Sequence, residues 1–275
     1  MMNQLQPLNL RREPFSMSPD PRFFYKSREH EFVLNRLEIA VRLRRGMSVV
    51  LADVGLGKTT ILRALIQNFT LEDDEYRFHL ILDPSFATET EFLDHLLRLF
   101  SLPAPASPPQ KRDMIQRYLY HENVECGRTV VLCIDEAQKL SGDHLEDLRI
   151  FLNYENVDRK FLQLVIFGQM ELLPVIRARA NVLDRVSFKY VLHPMDFKEM
   201  SSMIRYRLQE AGFESRMPLL TEAALYKIYQ YTQGYPRKVI RLCQRAFEPV
   251  IVGDCSAVTG EMIEWISTQE ILWHK

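Results

Sequence analysis

The segment Ala52-Asp-Val-Gly-Leu-Gly-Lys-Thr-Thr60 sets two glycines one residue apart and follows them with a lysine and two hydroxyl side chains. That order suits a loop that wraps phosphate. Glycines let successive backbone N–H groups turn inward, and a helix opening behind them adds the positive end of its dipole. Val54, Gly55, Leu56, Gly57 and Thr60 are therefore expected to line the phosphates, with Lys58 as a point charge on the β- and γ-phosphates and Thr59 offering its hydroxyl to Mg2+. The strict pattern opens with glycine. Here Ala52 holds that place, which works only if its φ is negative.

A second group stands at the end of Val130-Val-Leu-Cys-Ile-Asp-Glu136, an apolar run that closes in two carboxylates. In a parallel sheet, ligands gather at the C-terminal ends of the strands. Asp135 is then expected to hold Mg2+, through water, and Glu136 to orient and deprotonate the attacking water. An acidic pair alone says little, because such residues also start loops and cap helices. Together with a phosphate loop it points to hydrolysis of ATP. A third run, Leu164-Val-Ile-Phe-Gly-Gln169, ends on an amide that either holds the water or the γ-phosphate or simply begins a loop.

These groups need a frame. Ser27 reads as the N-cap of a helix whose apolar positions Phe32, Val33, Leu37, Ala40, Val41 and Leu43 follow the 3.6-residue period. Strands are expected at 48–52, 78–82, 129–134 and 163–167, with helices at 59–69, from the Thr88–Glu91 capping box onward, at 111–122 and at 142–153. The stretch Leu102-Pro-Ala-Pro-Ala-Ser-Pro-Pro109 reads as a stiff loop. Alternating helices and short apolar strands argue an α/β fold, a P-loop parallel sheet with helices on both faces. Beyond His193-Pro194 the pattern is helical, opened by a capping box of Asp196 and Glu199. The expected organisation is an extended arm across the core (1–26), an α/β nucleotide-binding core (27–193) and a small all-α lid domain (194–275).

Composition excludes little. With 275 residues, 47% hydrophobic and 26% charged, the chain has the makeup of an ordinary globular protein. A formal net charge of −1 forces neither a nucleic-acid nor a membrane partner. Cys126, Cys133, Cys243 and Cys255 form no C-x-x-C pair, and no histidine stands at familiar metal-ligand spacing from them, so they read as reduced thiols of a cytoplasmic protein. The longest apolar run, Val130–Ile134, is far short of a bilayer span, and no signal peptide is legible.

With these residues in place, the chain resembles the GspA/ExeA family of AAA+ ATPases, which includes MshM-like proteins of type II secretion and type IV pilus systems. The resemblance is carried by Arg12-Glu-Pro-Phe, Pro19-Asp-Pro-Arg22, Gly55-Leu-Gly-Lys-Thr-Thr60, Ile134-Asp-Glu-Ala-Gln138, Phe167-Gly-Gln169 with Glu171-Leu172, and Gly234-Tyr-Pro-Arg237. It implies that Gln169 is the sensor-1 residue and that Arg237 is the sensor-2 arginine, reaching the nucleotide of its own subunit. It places an arginine finger, offered to a neighbouring subunit, at Arg185, with Arg177 and Arg179 as alternatives. A guanidinium near the γ-phosphate stabilises charge that spreads over its oxygens in the transition state. The plain alternative for each arginine is a solvated face. Some family members continue into a membrane span and a peptidoglycan-binding domain, so their transmembrane coupling is not carried over, and the 275 residues are expected to be either a short member or a truncated one.

The resemblance implies a Mg2+-dependent ATPase that forms an ATP-dependent ring or filament and drives assembly of a secretion or pilus machine through a protein partner. It would be cytoplasmic, or held at the inner membrane through that partner. A second reading is a DNA-handling ATPase of the TniB/IstB transposition type, for which the basic clusters Arg42-Leu-Arg-Arg45 and Arg237, Lys238, Arg241, Arg245 speak. DNA is thus left open without being favoured. A third, a nucleotide-gated scaffold without hydrolysis, is argued against by the acidic pair.

Overall fold

The computed structural model of the protein describes residues 10–17, 20–70, 75–156, 159–214, 218–252 and 255–272. The chain divides into two compact units, one of residues 29–54 and 61–192, the other of 1–28, 55–60 and 193–275.

The first unit is built on α1 (Arg28–Arg42), β1 (Met47–Ala52), α2 (Lys58–Thr70), β2 (Tyr76–Ile81), α3 (Glu89–Leu99), α4 (Pro108–Tyr120), β3 (Thr129–Ile134), α5 (Gly142–Leu152), β4 (Leu162–Gly168), α6 (Leu172–Arg177), α7 (Ala180–Leu183) and β5 (Val186–Leu192). The five strands form one sheet in the order β2-β3-β4-β1-β5, and every pairing is parallel. β1, β3 and β4 are buried at every position, because helices cover both faces of the sheet. This is why their sequences are unbroken apolar runs rather than alternating ones. The core joins Val49, Leu51, Val130, Leu132, Leu164 and Ile166 from the sheet with Phe92, Leu96, Leu148 and Phe151 from the helices.

β5 was not among the expected strands. It is an edge strand with only one neighbour, and its side chains alternate between half-buried and exposed as far as Leu192. Pro108 and Pro109, expected in a loop, open α4 behind the N-cap Ser107. Proline there forfeits only an N–H that would have no partner inside the helix. Thr88 caps α3 by accepting from the Glu91 N–H, but Glu91 Oε2 accepts from the N–H of Ala87, one residue earlier than a reciprocal box requires.

The second unit holds α8 (Phe197–Glu210), α9 (Glu222–Thr232), α10 (Pro236–Ile251) and α11 (Gly260–Leu272). Their core gathers Met200, Ile204, Ile228, Val239, Ala246, Phe247 and Ile263. Asp196 caps α8 by accepting from the Glu199 N–H at 2.7 Å, and the Glu199 carboxylate accepts from the Arg28 N–H rather than closing a box.

The N-terminal arm belongs to this helical unit. Phe15 is 1% exposed and packs on Phe247, ring centroids 4.8 Å apart. Arg207 fastens the arm, donating from Nε to Pro14 O at 2.8 Å, from Nη1 to Phe23 O at 3.0 Å and from Nη2 to Ser16 O at 3.2 Å. Its guanidinium also sits 5.0 Å over the Phe23 ring.

Candidate functional site

The C-terminal edge of the sheet carries the acidic pair, the glutamine and the departure of the phosphate loop. Ala52 ends β1 as a buried strand residue, and it is absent from the non-glycine residues of positive φ among the described residues. Its replacement of glycine therefore carries no backbone strain. Gly55 and Gly57, in contrast, have φ of +84° and +97°. Glycine enters that region without steric cost, and this is the conformation that turns N–H groups inward. The Gly57 carbonyl accepts from the Thr60 N–H at 3.0 Å, so the loop passes directly into α2.

Within the helical unit, Gly55 meets the start of α10. Its carbonyl accepts from the Arg237 N–H at 3.2 Å, and a Cβ on Gly55 would stand 2.7 Å from the Arg237 Cβ. Two independent constraints thus fix glycine here, the sign of φ and the close approach of Arg237. Val54 is 56% exposed, whereas Leu56 is 2% exposed and Lys58 5%. An ammonium this enclosed is stable only among oxygen atoms. Thr59 and Thr60 are half-buried in the first turn of α2, and the Arg237 side chain is exposed.

Asp135 follows the last residue of β3 and is buried, with its Oδ1 accepting from the Glu136 N–H at 2.9 Å. Glu136 takes the left-handed conformation, φ 51° and ψ 34°. A non-glycine residue there is held at a cost of order 1 kcal/mol or more. Its Oε2 accepts from Gln138 Nε2 at 2.7 Å and from Gln169 Nε2 at 3.2 Å, while Gln138 Oε1 accepts from the Gln169 N–H at 3.1 Å. One carboxylate oxygen is therefore gripped by two amides that are themselves linked. Gln138 is the residue whose part the sequence reading missed. The signal was present in Asp135-Glu-Ala-Gln138, a turn short enough to send residue 138 back toward 136. Gly168 permits the crowding beside it, since a Cβ there would lie 2.8 Å from Leu172 Cδ2 and 3.5 Å from the Gln138 nitrogen.

The arginines separate clearly. Arg179 is turned back onto α5, 3.8 Å from Asp143, with its guanidinium filling the space a side chain on Gly142 would need. Arg177 and Arg185 are exposed. Arg185 directly precedes β5, whose first residue, Val186, is in register with Met47, the first residue of β1. Arg185 is thus at the sheet edge opposite the one where β1 runs into its loop. At about 3.3 Å per strand residue that is roughly 20 Å, beyond the reach of an arginine side chain.

The residues suit a nucleoside triphosphate. Two left-handed glycines at a helix start, a glycine that no larger residue can replace, an enclosed lysine and a gripped carboxylate match the demands of phosphate binding and water activation.

Comparison with known proteins agrees. An AAA domain family profile matches residues 41–176. Over 261 residues the chain is 33% identical to general secretion pathway protein A of Aeromonas hydrophila, a match that covers 90% of this chain and 46% of that protein. The chain thus spans about half the length of that relative. Among solved structures, Cdc6p from Pyrobaculum aerophilum aligns with a TM-score of 0.69 at 19% identity, over 94% of this chain and 70% of that one. The Aeropyrum pernix ORC2 protein, solved as ADPNP–ADP complexes, aligns with a TM-score of 0.66 at 14% identity, over 94% of this chain and 71% of that one. At such identities the structural likeness speaks for the fold alone. The sheet order, the loop after β1 and the identity to the secretion protein together make this chain a member of the AAA+ ATPases, in the family of general secretion pathway protein A.

Proposed function

We propose that the chain hydrolyses ATP with Mg2+ and, assembled head to tail with further copies, uses the cycle to build or remodel a secretion or pilus machine through a protein partner. The observation that carries the catalytic part is the grip of Gln138 and Gln169 on Glu136 Oε2, at the sheet edge from which the phosphate loop departs. Holding Oε2 on two amides leaves Oε1 as the base that takes a proton from water. Val54, Gly55, Leu56, Gly57 and Thr60 supply backbone to the phosphates, and Lys58 supplies charge. Thr59 and Asp135 hold Mg2+, which when bound draws charge from the phosphate oxygens. Gln169 positions the water as well as the base. Arg237, tied to Gly55 through its backbone, is the residue that reads the nucleotide of its own subunit. Arg185 acts on the nucleotide of a neighbour, which its place at the far sheet edge favours over a role on its own. The cytoplasmic face of a secretion apparatus is the setting this reading implies; no helix among the described residues is long and apolar enough to cross a membrane.

A DNA-handling function is the second reading, favoured by one observation: Arg237, Lys238, Arg241 and Arg245 are all exposed along α10. The two readings separate by salt. DNA affinity resting on several phosphate contacts falls on a log–log slope of about −0.9 per neutralised phosphate. Duplex binding and ATP turnover are to be measured together between about 50 and 200 mM salt, with and without a non-hydrolysable ATP analogue. The secretion reading expects weak binding that salt abolishes and turnover that DNA leaves unchanged. Tight, ATP-dependent binding that survives the upper salt and raises turnover would overturn it in favour of DNA handling.

A further inference from the structure

α4 does not end as an α-helix. Residues His121–Glu125 widen into a π turn, closed by the Cys126 N–H donating to His121 O at 3.0 Å. In α geometry, residues five apart point in different directions. An i→i+5 turn stacks them, and turns of this kind recur at functional sites. The spacing that looked unsuited to metal in the sequence becomes, through this turn, a cluster. The ligand atoms of His121, Glu122 and Cys126 lie within 4.8 Å of one another.

Three details of the cluster point the same way. His121 Nδ1 is 2.7 Å from Glu125 Oε2, and its Nε2 is 3.5 Å from Cys126 Sγ. Donation of Nδ1–H to a carboxylate fixes the tautomer that leaves Nε2 with a lone pair, which is how a metal-binding histidine is oriented. Tetrahedral zinc, with Zn–S of about 2.3 Å and Zn–N of about 2.0 Å, separates sulfur from nitrogen by about 3.5 Å. Glu122 is 9% exposed, and its Oε2 is buried without accepting a hydrogen bond; Arg128 Nη1 stands 3.7 Å away. A buried carboxylate oxygen in that condition calls for a reason.

The turn is also held firmly. Asn123 donates to Leu119 O at 2.9 Å and to Phe161 O at 2.8 Å, and Glu122 O accepts from the Arg128 N–H at 2.7 Å. Of the four cysteines, Cys133 and Cys243 are buried and burial pushes both thiols far up, whereas Cys126 is exposed. Cys126 is therefore a thiol that solvent ions can reach.

We propose that His121 Nε2, Cys126 Sγ and Glu122 form a three-ligand site for a thiophilic divalent cation of the zinc class, with the fourth position open to solvent and Glu125 orienting the histidine. It lies just before β3, at the sheet edge away from the phosphate loop, so it is separate from the nucleotide chemistry. Cys126 binds as thiolate, its proton passing to solvent.

The test uses the whole reduced chain and Co2+ as the probe, with ATPase activity left out of the readout. Cobalt is expected to bind with one equivalent per chain, to give a thiolate-to-metal charge-transfer band with tetrahedral d–d absorption, and to be displaced by Zn2+. Cys126→Ser should remove the charge-transfer band, His121→Ala should weaken binding at least tenfold, and Glu125→Gln should weaken it about 10- to 100-fold with the band retained. Cys255→Ser should change nothing. His121, Glu125 and Cys126 are exposed, so these variants keep the fold. Absence of the band in the unaltered chain, or a band that survives Cys126→Ser, would overturn the site and leave His121 and Glu125 as an ordinary hydrogen-bonded surface pair.

Discussion

Gln169 Nε2 lies 3.2 Å from Glu136 Oε2, and the two residues are brought together from different strands, β4 and β3, 33 positions apart. The amide and the carboxylate therefore act as one group. Glu136→Gln is expected to keep nucleotide binding while lowering turnover by about 10²- to 10⁴-fold, because a general base is lost. Gln169→Ala and Gln138→Ala should lower turnover by about tenfold each, and the double variant by less than the product, since both amides hold the same oxygen. Phosphate release and nucleotide affinity, measured on all four, decide this. Normal turnover in Glu136→Gln would remove it as the base.

The placement of Arg185 at the edge opposite its own loop predicts complementation. Lys58→Ala should abolish ATP binding, and Arg185→Ala should bind ATP without efficient turnover. Mixed, the two inactive chains should recover part of the activity, because one supplies a working pocket and the other a working guanidinium. Arg179→Ala should behave much like the unaltered chain, since that side chain is engaged with Asp143. Failure to recover activity in co-assembled mixtures would count against action between subunits.

Arg207 holds three arm carbonyls, and hydrogen bonds from a charged donor contribute about 1.5–3 kcal/mol each. Bonds sharing one guanidinium add up to less than their sum, so Arg207→Ala should lower stability by roughly 3–5 kcal/mol, seen as an earlier urea midpoint. It should also open the arm to trypsin after Arg11, Arg12 and Arg22. An arm as resistant to protease as before would mean that Phe15, not Arg207, retains it.

His79 gives a pH dependence. Its ring packs against Phe100 and its Nε2 is 3.0 Å from Tyr118 Oη, and burial pushes the imidazole down from 6.5 to about 4. Between those values the unfolded chain takes up a proton that the folded one refuses. Its contribution to stability is therefore complete above pH 6.5 and is lost progressively as pH falls toward 4. Urea unfolding compared at pH 7 and pH 5 should show a smaller difference in His79→Gln than in the unaltered chain. Equal slopes would assign the acid sensitivity to other groups.

The sheet's central strands were legible because strands buried on both faces leave continuous apolar runs, as in Val130–Ile134. β5 was not, although Val186-Ser-Phe-Lys-Tyr alternates as a half-covered edge strand should. Its period of two is a weaker signal than the unbroken apolar runs of the central strands. The loop glycines were legible because the turn from β1 into α2 requires positive φ at Gly55 and Gly57. The second constraint on Gly55, the Arg237 Cβ, belongs to a segment far along the chain that no local pattern reveals. Glu91 and Glu199 show the same limit on a small scale. Each stands at the spacing of a capping box, but Glu91 accepts from the neighbouring Ala87 N–H, and Glu199 from the Arg28 N–H that tertiary structure brings to it.

The left-handed backbone of Glu136 sets two selections against each other. Glycine adopts φ 51°, ψ 34° freely, so on the proposed role of Glu136 the residue best for folding at this one position is not the one best for chemistry. A search for thermostable variants that ignored turnover would be drawn to glycine at 136, and on that proposal would obtain a sturdier protein with nothing to activate its water.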